Sequence, residues 1–345
     1  MQELPPTTVR QIGSSEALTD PSSVVKELMD NALDARATAI FAEISTNTID
    51  TIQVKDNGHG IPGNDRVMTC RRYCTSKIRD FDDLREVGGK WLGFRGKALA
   101  SVAEMSGALT IITRAEGELI AVSMRFSRTG EIESTESASH PVGTTVKVTN
   151  FFNFLPVRKQ DTIKHSAKWL AKTKRLMQAY ALARPTVRFQ LRVLNAKTEK
   201  GNFNYSPKAE ANVEDATFKI VGRDCASQCG WTSLQTDGFE ICAFLPRPDA
   251  NETKIANQGA FISIDSRPLS AFRGTIKRIF MVFKNNLRRA NPTFASVKDP
   301  FMCMNIICPP DSYDPNIEPA KDDVLFADEN LVLEAVNKIL SSYYP

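Results

Sequence analysis

Val24-Val25-Lys26-Glu27-Leu28-Met29-Asp30-Asn31-Ala32-Leu33-Asp34-Ala35 is the stretch whose reading decides the fold. At helical spacing, Val24, Val25, Leu28, Met29, Ala32 and Leu33 form a broad apolar face, while Glu27, Asn31 and Asp34 fall on one polar stripe at i, i+4 and i+7. Asp20-Pro21 supplies an N-cap followed by proline at the first helical position, so the helix is expected from there to about Ala35. Taken alone, the polar stripe reads as a solvated face. What changes that reading is the sequence that follows.

Alternating residues over 40–45 and 51–55 predict two strands, and the second runs straight into Asp56-Asn57-Gly58-His59-Gly60-Ile61-Pro62. Gly58 and Gly60 permit a tight turn and close approach of backbone to a ligand, and Asp56 offers an acceptor suited to an exocyclic amine such as that of adenine. Next come Thr75-Ser76-Lys77-Ile78 and Gly93-Phe94-Arg95-Gly96-Lys97-Ala98-Leu99, where two glycines flank a cation ahead of a helix-like run. Backbone N–H groups at such a helix start are ready anion sites, so the loop reads as a phosphate clamp. It is not a Walker loop, because GxxxxGK[ST] is absent. Gly143-Thr144-Thr145-Val146 opens a further strand.

Working outward, strands are expected at 109–113, 120–126 and 144–149, with connections short enough for a mostly antiparallel sheet. A basic amphipathic helix is expected over 162–183, then a strand over 186–194 and a polar stretch over 195–214. The domain boundary is placed there, giving regions 1–205 and 206–345. The second region shows strands near 240–245, 261–265 and 303–308 and helices near 271–286 and 329–342. Both regions read as α+β, and 345 residues suit two domains better than one.

Hydrophobic residues at 42% and charged residues at 24% fit a globular chain rather than a disordered or fibrous one. No apolar run approaches the roughly 20 residues of a membrane span, and residues 1–20 lack the basic start and apolar core of a secretion signal. Neither membrane association nor secretion is expected. The seven cysteines are scattered without CxxC spacing, which predicts reduced thiols and no structural zinc. A net charge of +4 does not by itself call for nucleic acid. Local clusters do: Arg158, Lys159, Lys164, Lys168, Lys172, Lys174 and Arg175 oppose only Asp161. Arg267, Arg273, Lys277, Arg278, Lys284, Arg288 and Arg289 have no acid among them. The bland alternative for the second cluster is a solvated helix surface.

ExxxNxxDA, DNGxGI, TSKI, GFRGxAL and GTxVxV, in this order, resemble the ATP-binding motifs of the GHKL superfamily in its MutL branch. The likeness continues through Leu155-Pro156-Val157-Arg158-Lys159-Gln160, Phe261-Ile262-Ser263-Ile264-Asp265-Ser266-Arg267-Pro268 and Asn316-Ile317-Glu318-Pro319-Ala320-Lys321. The resemblance implies a Bergerat-type sandwich of helices on a mixed, mostly antiparallel sheet, followed by a ribosomal-protein-like α+β transducer domain. It implies Glu27 as general base on the attacking water and Asn31 as a ligand of the Mg²⁺ that accompanies ATP. Asp34, Asp56, Gly58, Gly60 and Thr144 complete the nucleotide pocket. A lid over about 71–96 brings Lys77, Gly93, Phe94, Arg95 and Gly96 to the phosphates. Lys321 would reach the γ-phosphate.

Sequence-independent DNA contacts are expected from Arg267, Arg273, Lys277 and Arg278. Details such as LPVRKQ resemble the eukaryotic post-meiotic-segregation subunits without an endonuclease site. That implies a nuclear protein acting with a second MutL-homologue subunit and with MutS-type mismatch-recognition proteins. Family members usually continue into a C-terminal dimerisation domain, so a fragment of a longer protein is expected. Three positions depart from the pattern: Lys97 stands for glutamate, Arg36 for glycine and Glu318 for histidine. A DNA-binding accessory subunit with negligible turnover is the competing reading. A histidine kinase would need a phosphoacceptor region before Glu27, and a type II topoisomerase a cleavage module.

Overall fold

A computed structural model describes residues 3–80, 83, 87–317 and 323–345. By internal packing they divide into two units. One comprises Met1–Arg79, Trp91–Met177 and Val187–Ser206; the other comprises Asp80–Lys90, Gln178–Thr186 and Pro207–Pro345.

The first unit opens with α1 (Pro6–Ala17) and α2 (Pro21–Asp34), followed by β1 (Ala39–Ser45), β2 (Thr51–Asp56) and α3 (Ala98–Met105). It continues through β3 (Ala108–Arg114), β4 (Ala121–Phe126), β5 (Ile132–Ala138), β6 (Gly143–Thr149) and α4 (Pro156–Lys164). α5 (Ser166–Ala183), β7 (Arg188–Leu194) and β8 (Phe203–Tyr205) follow. The eight strands form one sheet in the order β5-β4-β3-β6-β2-β1-β7-β8. Every pairing is antiparallel except β1 with β7. Burial alternates strictly along β1, β2 and β3, so one face of the sheet is covered and the other is part-exposed.

α2 supplies much of that cover, packing on β2 and β1. Val24, Val25 and Met29 are fully buried, with Leu28 and Ala32 nearly so. The helix starts where the sequence places it, because Asp20 accepts from the backbone N–H groups of Ser22 at 2.8 Å and Ser23 at 3.2 Å. It ends in a Schellman motif: Arg36 N donates to Leu33 O at 2.9 Å and Ala37 N to Ala32 O at 3.0 Å. Arg36 therefore adopts φ +60°, the left-handed conformation that costs a non-glycine residue about 1–2 kcal/mol. This is the position where Arg36 departs from the family's glycine. An Arg36→Gly variant is expected to gain about 1 kcal/mol, after allowing for glycine's greater freedom in the unfolded chain. Urea unfolding checks it: an unchanged or lower midpoint would contradict the strain.

The second unit contains α6 (Val213–Ile220), α7 (Arg223–Ala226), β9 (Cys229–Thr236), β10 (Phe239–Pro246) and α8 (Glu252–Ile255). After these come β11 (Ala260–Ile264), β12 (Arg267–Leu269), α9 (Gly274–Ala290) and β13 (Met302–Ile307). β14 (Tyr313–Asp314), β15 (Leu325–Phe326) and α10 (Glu329–Tyr343) close the chain. Five strands pair as β12-β11-β13-β10-β9, with β11 and β13 parallel. β14 and β15 form a small separate ladder. α9 buries Ile276, Ile279, Phe280, Phe283 and Leu287 and packs along α10. Both units are α+β with mixed, mostly antiparallel sheets.

Some boundaries differ from those expected. The single helix over 162–183 is two, α4 and α5, separated at His165, whose backbone N–H closes the end of α4 on Asp161 O at 3.0 Å. α9 begins at Gly274 rather than near Ala271, with Arg273 in extended backbone as its N-cap. α1, β5 and β8 of the first unit, and α6, α7, α8, β9, β12, β14 and β15 of the second, were not expected.

Candidate functional site

α2 carries Glu27, Asn31 and Asp34 on one side, but this is not a solvated face. Glu27 is only 8% exposed, and its neighbours Lys26 and Asp30 form a buried ion pair at 3.3 Å. Lys77 reaches across to the same stripe: its Nζ lies 3.3 Å from Asn31 Oδ1 and forms a closer ion pair with Asp34. Asp34 also accepts from Leu92 N at 2.8 Å and from Gly93 N at 2.9 Å. Its oxygens are thus used in anchoring the Leu92–Gly93 loop and Lys77, a positioning task that spacing alone did not reveal. Gly93 lies close against this cluster: a Cβ there would lie 3.2 Å from Lys77 Nζ and 3.3 Å from Asn31 Oδ1, so a side chain would require those ends to shift by a few tenths of an ångström.

The loop runs on through Phe94, which is buried, and Arg95, whose guanidinium lies 5.7 Å from the Phe94 ring centroid. Gly96 accepts from Tyr73 N at 2.8 Å and so ties the two ends of the segment together. Lys97 sits 4.9 Å from the Tyr73 ring centroid, so its extra charge relative to the family pattern is held against an aromatic face. α3 follows directly with no side-chain cap at its N-terminus.

Asp56 ends β2 and is 7% exposed. Its Oδ1 accepts from Gly58 N at 2.8 Å and Thr144 N at 3.3 Å. Burial raises the Asp56 carboxyl above its ordinary range. The two backbone bonds and the nearby His140 and His59 rings work in the opposite direction. Thr144 Oγ1 lies 3.1 Å from Thr113 Oγ1, and Thr113 accepts from Ile61 N at 2.9 Å. Thr113, a residue without a place in any motif, therefore joins the Asp56 turn to β6. Gly60 holds φ +75° with its Cα against Arg114, where a Cβ would lie 2.2 Å from the carbonyl oxygen. Asn57, the motif residue to which no role was given, accepts from Thr38 N and Ala39 N at 2.9 and 2.8 Å and fixes the start of β1.

The structure thus gathers Glu27, Asn31, Asp34, Lys77 and Gly93 around α2, and Asp56, Gly58 and Thr144 where β2 meets β6. Lys321 and Glu318 lie outside the described residues.

The DNA candidates separate. Arg273, Lys277 and Arg278 are exposed at the start of α9. Arg267 is not: it is 3% exposed on β12, and from there it cannot meet a phosphate backbone. Burial of its strand against β11 overrules the basic sequence run. Acids also enter from elsewhere in the chain. Glu329 at the start of α10 pairs with Arg278, and the Asp323 carboxylate comes up against Gly274 at the start of α9. The acid-free stretch of sequence is therefore not an acid-free surface.

Residues 19–154 match the family of histidine kinase-, DNA gyrase B- and HSP90-like ATPases, and residues 217–344 match the C-terminal domain family of DNA mismatch repair proteins. The chain is similar to the DNA mismatch repair protein MutL of Streptococcus thermophilus, 31% identical over 339 residues covering 98% of this chain and 49% of that protein. It is similar to the DNA mismatch repair protein PMS1 of Arabidopsis thaliana, 30% identical over 345 residues covering 97% of this chain and 35% of that one. The Aquifex aeolicus MutL ATPase domain complexed with ADP shares the fold, with a TM-score of 0.54 at 23% identity, covering 93% of this chain and 98% of that structure. The chain spans about half the length of the first curated relatives it matches. With both of its regions matched and its ATPase motifs in order, the chain belongs to the MutL family of DNA mismatch-repair proteins.

Proposed function

We propose that this chain binds and hydrolyses ATP, and that nucleotide binding drives dimerisation of its N-terminal region on DNA during mismatch repair. The observation that carries the reading is the convergence of Asn31, Asp34, Lys77 and the Gly93 loop beside Glu27, in a unit whose Asp56 carboxylate is buried and held by backbone N–H groups. Asp56 accepts the adenine amine. Lys77 and the backbone N–H groups of the 94–96 loop meet the phosphates. Glu27 takes the proton of the attacking water, a role suited to a carboxylate withdrawn from solvent. Lys321 is assigned to the γ-phosphate on the NIEPAK motif alone.

Magnesium fits the donors present. Asn31 Oδ1 and Asp34 already gather a cation, the Lys77 ammonium, and a hard metal ion of this kind commonly takes few protein oxygens and is completed by phosphate and water. Asn31 would hold it, and it would neutralise phosphate charge. Asn31→Ala should therefore lose Mg²⁺-dependent nucleotide binding by roughly tenfold or more, and unaltered affinity in a calorimetric titration would remove Asn31 from that role.

DNA contact is assigned to the exposed start of α9, through phosphates rather than bases, so binding is sequence-tolerant and salt-sensitive. The paired Arg273→Ala and Lys277→Ala change should flatten the slope of log affinity against log salt by about two and leave nucleotide binding intact. A slope unchanged from the parent chain would clear this helix of DNA contact. The likeness to Arabidopsis PMS1 supports a nuclear, heterodimer-forming subunit of the eukaryotic type, recruited by MutS-type proteins. The competing reading, a DNA-binding accessory subunit with negligible turnover, predicts the same ATP binding without phosphate release.

A further inference from the structure

A second concentration of positive charge lies in the first unit, away from the motifs discussed above. Arg10 of α1, Arg71 and Arg72 of the segment before Lys77, and Arg128 and Thr129 of the β4–β5 turn line a cleft of about 90 Å³, with Glu104 of α3 at its wall. The cleft is built rather than accidental. Arg72 donates to Glu104 Oε2 at 2.9 Å and to Arg10 O at 2.9 Å, and Ser14 Oγ donates to the same Glu104 oxygen at 2.9 Å. The Arg128 guanidinium carbon sits over the Phe154 ring, 3.5 Å from its centroid, and Arg71 pairs with Glu131 at 3.1 Å. The β4–β5 turn is pressed onto Cys70: a Cβ on Gly130 would lie 2.1 Å from the Cys70 carbonyl oxygen, so Arg128 and Thr129 are held beside Arg71.

Four guanidinium groups line this space with one carboxylate, Glu104, while Glu131 pairs with Arg71 from outside the lining. Arg10 Nε is buried and has no hydrogen-bond acceptor among the described residues. A buried donor without a partner and a surplus of like charge both carry a free-energy cost, and an oxyanion relieves both at once. Guanidinium forks match the oxygens of a phosphate group better than any other side chain does. We infer that this cleft is a binding site for a phosphate group, held by Arg10, Arg71 and Arg128 with Thr129 as a hydroxyl donor. Glu104 keeps Arg72 in the wall and limits the site to a small, strongly charged anion. The inference is separate from the α9 reading, and Arg10, Arg128 and Thr129 belong to no nucleotide motif, while Arg71 and Arg72 lie at the start of the expected lid. Occupancy would also tie the start of the 71–96 segment to α1.

The same chemistry is offered by a free phosphate ion and by a strand phosphate of DNA, and the test separates them. Inorganic phosphate is titrated by calorimetry into the full chain saturated with ADP, and a short single-stranded oligonucleotide by fluorescence anisotropy. Both are repeated with Arg10→Gln and Arg128→Gln. Arg128 lies on an exposed turn, so its variant carries the test if Arg10→Gln fails to fold. The site predicts about tenfold weaker phosphate binding in each variant, with ATP affinity unchanged. A parallel loss for the oligonucleotide identifies the occupant as a strand phosphate; a loss for inorganic phosphate alone identifies a free ion. If both ligands bind the folded Arg128→Gln chain as tightly as the parent, or if neither binds the parent, there is no such site.

Discussion

A Glu27→Ala chain is expected to bind ATP within a few-fold of the parent and to release phosphate about 10²–10⁴ times more slowly, the range over which a positioned general base contributes. Steady-state phosphate release set beside calorimetric ATP binding measures both. The expectation rests on Glu27 lying on the same side of α2 as Asn31 and on its near-complete burial. Burial also admits a structural role, because Lys26 and Asp30 form a buried pair on the same helix. The isosteric Glu27→Gln variant separates the two: it keeps the packing and hydrogen-bonding shape while losing the base, so it should be as inactive as alanine yet unfold at the parent midpoint. Normal turnover in either variant would remove Glu27 from the chemistry. A parent chain that binds ATP and releases no phosphate would instead favour the accessory-subunit reading.

Asp56→Asn should separate stability from function in the opposite sense. Burial raises the Asp56 carboxyl above its ordinary range. The folded state therefore binds this proton more readily than the unfolded state, and the stabilisation is fully present below the unfolded value. It is lost as pH rises through the folded one. At neutral pH the ionised carboxylate is consequently a burden on the fold. Asparagine removes that burden while its amide oxygen can still accept from Gly58 N and Thr144 N, so the urea midpoint at pH 7 should rise. ATP binding should fall roughly 10- to 100-fold, since a hydrogen bond to a charged acceptor contributes about 1.5–3 kcal/mol. A variant that binds ATP normally would show that Asp56 is a structural turn residue.

The parts of this fold legible in the sequence are those in which one period dominates. α2 shows a 3.6-residue pattern with its cap written at Asp20-Pro21, and β1 and β2 alternate as strictly in burial as in residue type. β5 was missed because Ile132–Ala138 is nearly all polar and mostly exposed at the sheet edge, so no apolar alternation marks it. Helix propensity ran through residues 162–183 without a glycine or proline to show the interruption at His165. The candidate site was legible as a set of motifs, but its internal wiring was not. Asp34 anchors Leu92 and Gly93, and Thr113 bridges to Thr144, through contacts that depend on how distant segments meet. The same non-local cause explains the two surface errors. Arg267 sits in a basic run yet is buried by its strand, and the α9 face acquires Glu329 and Asp323 from about fifty residues downstream.

In the proposed function, α2, the Asp56 turn and the Gly93 loop form one ATP–magnesium site in each chain. Native mass spectrometry of the purified chain with ATP, with and without Mg²⁺, tests it most directly. A saturable adduct of one ATP with one magnesium per chain is expected, weakened by chelation of the metal and much reduced for a folded Asp56→Asn chain at the same concentrations. A folded parent chain that acquires no ATP adduct at saturating nucleotide would contradict it.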